Sequence, residues 1–205
     1  MTRPGRAVDA SEGRIGMSGD SVPSFDLGAA RMRPFVEADV PAWLAVVTDP
    51  GITSCTSWGI TSVAEMSGLV GRIIAGYADS SSRRWALEAP GQGVIGSCGF
   101  KWWDSRNAVA EIAYELAPRH WRRGIAKGAV RAAIHHGFTA MALARIEATV
   151  MVANQPSIGL LEGAGFTREG RLRECRICAG VRRDFFVYGL LRSEWRAGTG
   201  RPEPA

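Results

Sequence analysis

Arg119-His-Trp-Arg-Arg-Gly124-Ile-Ala126-Lys127 stands between a stretch with strand character, Val109 to Leu116, and a run whose apolar positions recur at 126, 129, 130, 133, 134, 137, 138 and 141. That recurrence, i, i+3, i+4, i+7, i+8, is the period of an amphipathic helix, with Gly137 as its weak member. A helix start leaves backbone N–H groups without partners, and Ser, Thr, Asp or Asn normally serves them from the cap position. None occurs in residues 117–127, and no acid follows in the first turn. Instead Arg119, Arg122, Arg123, Lys127 and Arg131 add positive charge where the helix macrodipole is already positive. An anion resolves the conflict. A pyrophosphate would accept the free amides and neutralise the arginines, with Gly124 and Ala126 small enough to let it reach the backbone. The competing interpretation is a solvated basic face with water-capped amides.

Upstream of this turn, Arg84 to Leu87, the turn Ala89-Pro-Gly-Gln-Gly93, Val94 to Trp102, the polar break Asp104-Ser-Arg-Asn107 and Val109 to Leu116 form a three-stranded antiparallel meander. Before it, Arg33-Pro-Phe35 is a short extended segment. Glu37 to Val47 follows as a helix with Asp39 near its start and Pro41 in its first turn, and residues 62–77 as a second helix. After the amphipathic helix come a strand from Arg145 to Val152, a short helix from Ser157 to Gly163, and two strands from Phe166 to about Leu191. The order ααβββαβαββ, without internal repeat, describes an α/β (α+β) fold. Its sheet is mixed and mostly antiparallel, with six to seven strands and about four flanking helices. Residues 1–29, rich in Gly, Ser, Arg and Asp with isolated apolar residues, are expected as a disordered tail. Residues 30–196 then form one domain, and residues 197–205 a C-terminal tail.

With 205 residues, 46% of them hydrophobic, the chain suits a single globular domain. No apolar run approaches 18 residues, so neither a transmembrane helix nor a membrane partner is expected. No export signal is visible at the N-terminus, which points to the cytoplasm. Cys55, Cys98, Cys175 and Cys178 are then small hydrophobes rather than a disulfide framework. Cys175-Arg-Ile-Cys178 has no second pair, and His120, His135 and His136 lack zinc-finger spacing, so no metal is expected. The formal charge of +5 comes without a lysine-rich tract and with acids spread along the chain, which does not describe a nucleic-acid binder. Gly91-Gln-Gly93-Val-Ile-Gly96 satisfies the dinucleotide pattern GxGxxG, but the residues after it read as strand where that motif needs a helix. It is a hairpin turn.

Trp121-Arg-Arg-Gly124-Ile-Ala126, at the junction of strand and helix, resembles the acetyl-CoA motif Q/R-x-x-G-x-G/A of the GNAT superfamily of N-acyltransferases. Trp121 departs from the family's first position. Together with Leu-Ala-Pro-Arg-His-Trp ahead of the glycine, it resembles the RimJ/RimL branch, which acetylates protein N-termini and includes small-amine and antibiotic acetyltransferases. Arg31-Met-Arg-Pro-Phe-Val-Glu-Ala-Asp39 is similar to the branch's opening, Asn154-Gln-Pro-Ser157 through Gly165-Phe166 to its N-x-x-S…G-F segment, and Asp184-Phe-Phe-Val-Tyr-Gly-Leu-Leu191 to its last strand. The resemblance covers about residues 30–195. It implies a splayed sheet whose central strands part to admit acetyl-CoA. The pantetheine arm would bond to main-chain groups of Leu116 and Ala117 and to Asn154. The pyrophosphate would be held by amides of Arg122, Arg123, Gly124, Ile125, Ala126 and Lys127.

The same resemblance implies direct attack of a free amine on the thioester, so the protein positions, removes a proton and stabilises charge. Cys98 is then no nucleophile. Glu111 and Glu115, four residues apart on one nominal strand face, are candidate general bases, Glu111 first because Ala110-Glu111-Ile112 resembles the base-carrying segment of histone-type relatives. Either could instead simply pair with an arginine on a neighbouring strand. Ser157 stands where the branch often has a serine proposed to hold or protonate the departing thiolate, and the alternative is an N-cap for the short helix. At pH 7 a lysine amine costs about 4.6 kcal/mol to deprotonate and an α-amine only about 1–1.4, so a weak base favours a peptide N-terminus or an aminoglycoside's sugar amine over lysine. The expected acceptor is therefore a ribosomal-protein-type α-amine, with a small amine or aminoglycoside, or a catalytically inactive acyl-CoA-binding module, as alternatives. The arginines at 168, 171, 173, 176, 182 and 183 would repel a polycation unless Glu169, Glu174 and Asp184 pair them off. Of Trp102 and Trp103, on opposite strand faces, at most one lines the acceptor groove. Exposed strand edges fit a monomer or a homodimer.

Overall fold

One sheet of eight strands runs through the molecule in the order β1-β2-β3-β4-β5-β6-β8-β7, as seen in a computed structural model that describes residues 22–79 and 81–198. Its strands are β1 (Phe25–Asp26), β2 (Arg31–Pro34), β3 (Arg83–Ala89), β4 (Gly93–Asp104), β5 (Val109–Leu116), β6 (Arg145–Met151), β7 (Thr167–Cys178) and β8 (Val181–Leu191). Six helices accompany them: α1 (Val40–Val47), α2 (Pro50–Thr53), α3 (Val63–Ala78), α4 (Ile125–Thr139), α5 (Gln155–Gly163) and α6 (Arg192–Gly198). Every strand pair is antiparallel except β5–β6. The meander, the two N-terminal helices and the amphipathic helix therefore stand as expected. No helix among the described residues is long and apolar enough to cross a membrane.

Eight strands and six helices exceed the expected six to seven and about four. The surplus lies in short elements that offer no period to read: two-residue β1, four-residue α2 and seven-residue α6. The fold also takes the last residues of the expected N-terminal tail. Val22 is buried, Phe25 and Leu27 pack against the core, and the Trp85 indole donates to the Pro23 carbonyl at 2.8 Å. Residues 1–21 of that expected tail lie outside the described residues. At the other end α6 reaches Gly198, past the expected boundary at 196, and residues 199–205 lie outside the described residues.

Two apolar layers cover the sheet. On one face α4 buries Ile125, Ala129, Val130, Ala133, Ile134 and Phe138 against Trp85, Phe100, Ile112 and Ile146, and α5 adds Ile158 and Leu161. On the other, α1 and α3 place Trp43, Val46, Met66, Val70 and Ile73 over Ala86 and Val94. The alternation Trp85, Ala86, Leu87 thus feeds both layers from one strand. Gly137, the weak member of the α4 stripe, is a contact residue. A Cβ there would stand 2.8 Å from the Phe100 ring and 3.1 Å from Ile146 and Leu143, so its absence sets how closely α4 approaches the sheet.

The central pair decides where a site can form. β5 and β6 are registered over only three pairs, Val109–Arg145, Ala110–Ile146 and Glu111–Glu147. Beyond them β5 follows β4 to Leu116 while β6 follows β8 to Met151, and the strands part. Opposite the parting, β4 carries an extra residue: Phe100 faces Ile112 and Trp102 faces Glu111, leaving Lys101 unpaired. Such a bulge bends the strand and increases its twist. The opening lies at the carboxyl ends of two parallel strands, where open α/β sheets bind ligands.

Candidate active site

The first wall of the opening is made by backbone. After β5, a short 3-10 turn at Pro118–His120 leads into α4, whose first residue follows Gly124. Gly124 has a left-handed φ of +78°, and so does Arg122 at +60°. No side chain caps the helix, and its first turn holds no acid. Around Gly124 nothing lies within 4 Å of where a Cβ would be. The N–H groups of the first turn are thus presented at an open surface beside the exposed Arg122, Arg123 and Lys127, while the Ile125 side chain is buried below them. From this end a cleft of about 480 Å³ runs between α4 and α5, past Leu116, Trp121, Ala126 and Gly159 to Tyr114 and Ser157. The Trp121 indole donates to the Leu116 carbonyl at 2.5 Å and ties the basic turn to the end of β5. Ala117 is also engaged, its N–H on Ile95 O at 2.8 Å and its carbonyl receiving His120 N–H at 2.9 Å.

The second wall is made by side chains. A cavity of about 450 Å³ lies over β5 on the face that carries Glu111, Ala113 and Glu115, and it joins the cleft at Cys55, Thr56, Tyr114, Glu115, Asn154 and Ser157. Glu115 is buried. Its Oε1 accepts from the Trp43 indole at 2.7 Å and from the Ser97 hydroxyl, and its Oε2 from Arg84 at 2.7 Å. Arg84 in turn donates to Ser97 at 2.8 Å and lies between the rings of Trp43 and Trp58, 5.3 and 5.4 Å from their centroids. Glu111 is held the same way: Oε1 by Lys101 at 2.6 Å and Thr149 at 2.6 Å, Oε2 by the Trp102 indole at 2.8 Å. Burial pushes the Glu111 carboxyl up, but the bonds from Lys101, Thr149 and Trp102 more than offset it and leave it below the ordinary carboxylate range. Each carboxylate offers about four lone-pair sites and spends three, so one remains open on each.

Both glutamates therefore pair with cations, Glu111 with Lys101 on the adjacent β4 and Glu115 with Arg84 on β3, one strand further. Among the described residues neither has the expected arginine on a neighbouring strand, and both still line the cavity. At the junction, the Ser157 hydroxyl is 2.6 Å from the Tyr114 hydroxyl. The alternative role of Ser157, as the cap of a short helix starting there, is corrected. The helix starts earlier, at Gln155, and Asn154 is its cap, accepting from Ser157 N–H at 3.2 Å through Oδ1. Asn154 Nδ2 donates to the Cys55 carbonyl at 3.3 Å, so Asn154 ties α5 to the loop after α2. Cys98 is fully buried and its thiol is pushed up to about 12 by desolvation, which leaves it inert. Trp103 packs on the core while Trp102 stays 42% exposed beside Glu111, the division expected of neighbouring strand positions.

A protein-family profile described as an acetyltransferase (GNAT) domain matches residues 30–167. The chain belongs to the GNAT acetyltransferase family. Among curated GNAT relatives, the N-acetyltransferase YoaA of Bacillus subtilis is 29% identical over 172 residues, 83% of this chain and 97% of that protein. The N-acetyltransferase p20 of Bacillus licheniformis is 44% identical over 102 residues, which are 50% of this chain and 57% of p20, so that alignment spans little more than half of the relative. Among solved structures, the ribosomal-protein-S5-alanine acetyltransferase of Vibrio fischeri superposes with a TM-score of 0.77 at 16% identity, over 84% of this chain and 98% of that one. The spermidine N-acetyltransferase of Vibrio cholerae, in complex with CoA and spermine, gives 0.73 at 24% identity, over 82% and 98%. These two likenesses establish the GNAT fold, with the parted strands and the α4 turn in the places the resemblance implied.

Sequence reasoning passed over most of the second wall. Trp43, Arg84 and Ser97 come from α1, β3 and β4 and converge on a carboxylate of β5, an encounter no local spacing announces. One signal was available: Arg84 at the head of an apolar strand is a charge that needs a buried partner. Tyr114 was hidden because its parity is opposite to that of the two glutamates, which aims it toward α5 rather than with them.

Proposed function

We propose that this GNAT chain moves the acetyl group of acetyl-CoA to the α-amine of a peptide or protein N-terminus. The observation that carries this reading is the meeting of the two cavities at Tyr114, Glu115 and Ser157, which gives a donor entering past Gly124 and an acceptor entering over β5 a common point. On the donor side, the open amides from Arg122 to Lys127 take the pyrophosphate, and the edge of β5 that β6 leaves between Glu111 and Leu116, with Asn154, guides the pantetheine, whereas Ala117 is spent on Ile95 and His120. Ser157, backed by the Tyr114 hydroxyl, holds the departing sulfur through a hydrogen bond. Glu115, at the junction with one acceptor site open, receives the amine proton directly or through a water, and Glu111, four strand residues further along β5, receives it only at the end of a longer water relay.

The acceptor class follows from base strength. Glu111, which the bonds from Lys101, Thr149 and Trp102 keep below the ordinary carboxylate range, is a feeble base. It suits an amine that is already partly neutral at pH 7, and an α-amine with pKa near 7.7–8.0 meets that condition where lysine does not. Steady-state thiol release from acetyl-CoA, measured against N-terminal peptides, aminoglycosides, polyamines and lysine derivatives, tests the proposal. Peptide-dependent release that collapses in Glu111→Gln or Glu115→Gln supports it. Turnover confined to small amines would move the assignment to the small-molecule alternative, and tight acetyl-CoA binding without any acceptor-dependent release would make this an acyl-CoA-binding module.

A further inference from the structure

The acceptor cavity carries an unbalanced charge. Three cations line it, Arg84, Lys101 and Arg176, against the two acids Glu111 and Glu115. Arg84 is neutralised by Glu115 at 2.7 Å and Lys101 by Glu111 at 2.6 Å. Arg176 is left over. It stands 3.8 Å from a Glu111 oxygen that Lys101 and Thr149 already occupy, and of its guanidinium nitrogens only one donates within the described residues, to the Thr149 hydroxyl at 2.8 Å. The Phe185 ring lies under it, 4.9 Å away, so the fork is held in one orientation with its remaining donors unspent. Its cross-strand neighbour on β8 is Arg183. Like charges placed directly opposite destabilise a strand pair, and here they meet at the rim of a cavity.

We infer that Arg176 receives an anionic side chain of the acceptor, and that the preferred acceptor is a peptide with Asp or Glu at its fourth or fifth position. This inference rests on the N-terminal reading of the site. Glu115, at the junction where the amine reacts, and Glu111, beside Arg176, are four strand residues apart, about 13 Å. An extended peptide advances about 3.3–3.6 Å per residue, so this span is about four steps and an amine at the junction brings its fourth or fifth side chain level with Arg176. A free amino acid is too short to do this, its carboxylate lying one carbon from its amine. A polyamine would bring a second cation to a cavity that already has one to spare. The guanidinium fork and a carboxylate match in a two-bond geometry, which fixes register as well as charge.

The test compares kcat/KM for a set of hexapeptides that differ only in having Asp, Asn or Lys at positions four and five, with spermidine alongside, in the full chain and in Arg176→Gln and Arg176→Glu. The Asp peptide should exceed its Lys counterpart at least tenfold, mainly through KM. Arg176→Gln, which keeps a donor for Thr149, should erase most of that ratio, and Arg176→Glu should invert it. Acetyl-CoA affinity, measured by calorimetry, should stay at the parent value in both variants and so reports that they are folded. An Asp preference that survives both substitutions, or peptides turned over without regard to charge, overturns the assignment of Arg176 and leaves the N-terminal function standing. Spermidine turned over with no peptide accepted overturns both.

Discussion

The two walls of the opening are built from different materials. The donor wall is backbone: a left-handed glycine, an uncapped helix end and the free edge of β5, surrounded by basic side chains that stay in solvent. The acceptor wall is side chain: two buried carboxylates, each fixed by three donors drawn from other elements. In the proposed function, a donor common to many enzymes would be gripped by a feature any chain can make, amides at a helix start. What distinguishes acceptors is entrusted to groups that only this chain's tertiary packing brings together. Function should therefore fail differently on the two sides, through binding on the first and through folding and proton handling on the second.

The largest separation is expected at Glu115. Glu115→Ala strands the buried Arg84 without its counter-charge and should cost about 3–5 kcal/mol in urea unfolding, whereas replacing Arg84 and Glu115 together by Met and Leu should recover most of it. Equal losses in the single and double replacements would show that the pair is not what stabilises this wall. Gly124→Glu puts a side chain and a negative charge into the anion's place at a left-handed position. It should weaken acetyl-CoA binding by about 100-fold, near 2.7 kcal/mol by calorimetry, with the fold retained. A variant that binds acetyl-CoA as the parent does would remove the backbone wall from the donor site.

Glu111→Gln sits between these. Turnover should fall by roughly 10²-fold or more if this carboxylate takes the proton. Because its folded pKa lies below the ordinary 4.5, Glu111 stabilises the ionised native state at neutral pH, and that contribution is lost as pH drops through the folded value. The stability gap between parent and variant should thus be widest near pH 7 and close below about pH 4.5. A gap that widens toward acid would contradict the direction of the shift. The smallest effect is expected from Trp102→Phe, which removes one of three donors to Glu111. It should cost about 0.5–1.5 kcal/mol and move the acid limb of the pH–rate profile upward by less than one unit.

The contrast between the walls also explains what could be read before the fold was known. A helix end without a cap, beside five cations and a glycine, is a local conflict visible within thirteen residues, and the structure keeps it: no side chain caps α4. The meander and the α4 stripe are likewise periodic patterns that burial then enforces. Glu111 and Glu115 were legible as a same-face pair, but their partners were not, since Trp43, Arg84 and Ser97 lie 72, 31 and 18 residues from Glu115. The Lys101 bulge was equally hidden, because an extra strand residue shows only in the register of its neighbour. Among the acids expected to pair off the arginine-rich hairpin, Asp184 takes Arg171, whereas Glu169 takes Arg145 of β6 instead. Choices among several equal charges are made by geometry, which composition does not contain.

The three residue pairs that join β5 to β6 bear on how the chain assembles. β2 through β5 are contiguous antiparallel neighbours apart from the helical excursion between β2 and β3, whereas the β5–β6 contact waits for α4 to form and cross over. The cleft is then a seam along which a second half-sheet, β6, β8 and β7, is laid against a first. Pulse-labelled hydrogen exchange should find amides of β3–β5 protected before those at residues 145–147, and native-state exchange should show the β6–β8 half opening as a unit of its own. A seam held by three residue pairs is also the part a ligand spanning both halves can most readily hold shut.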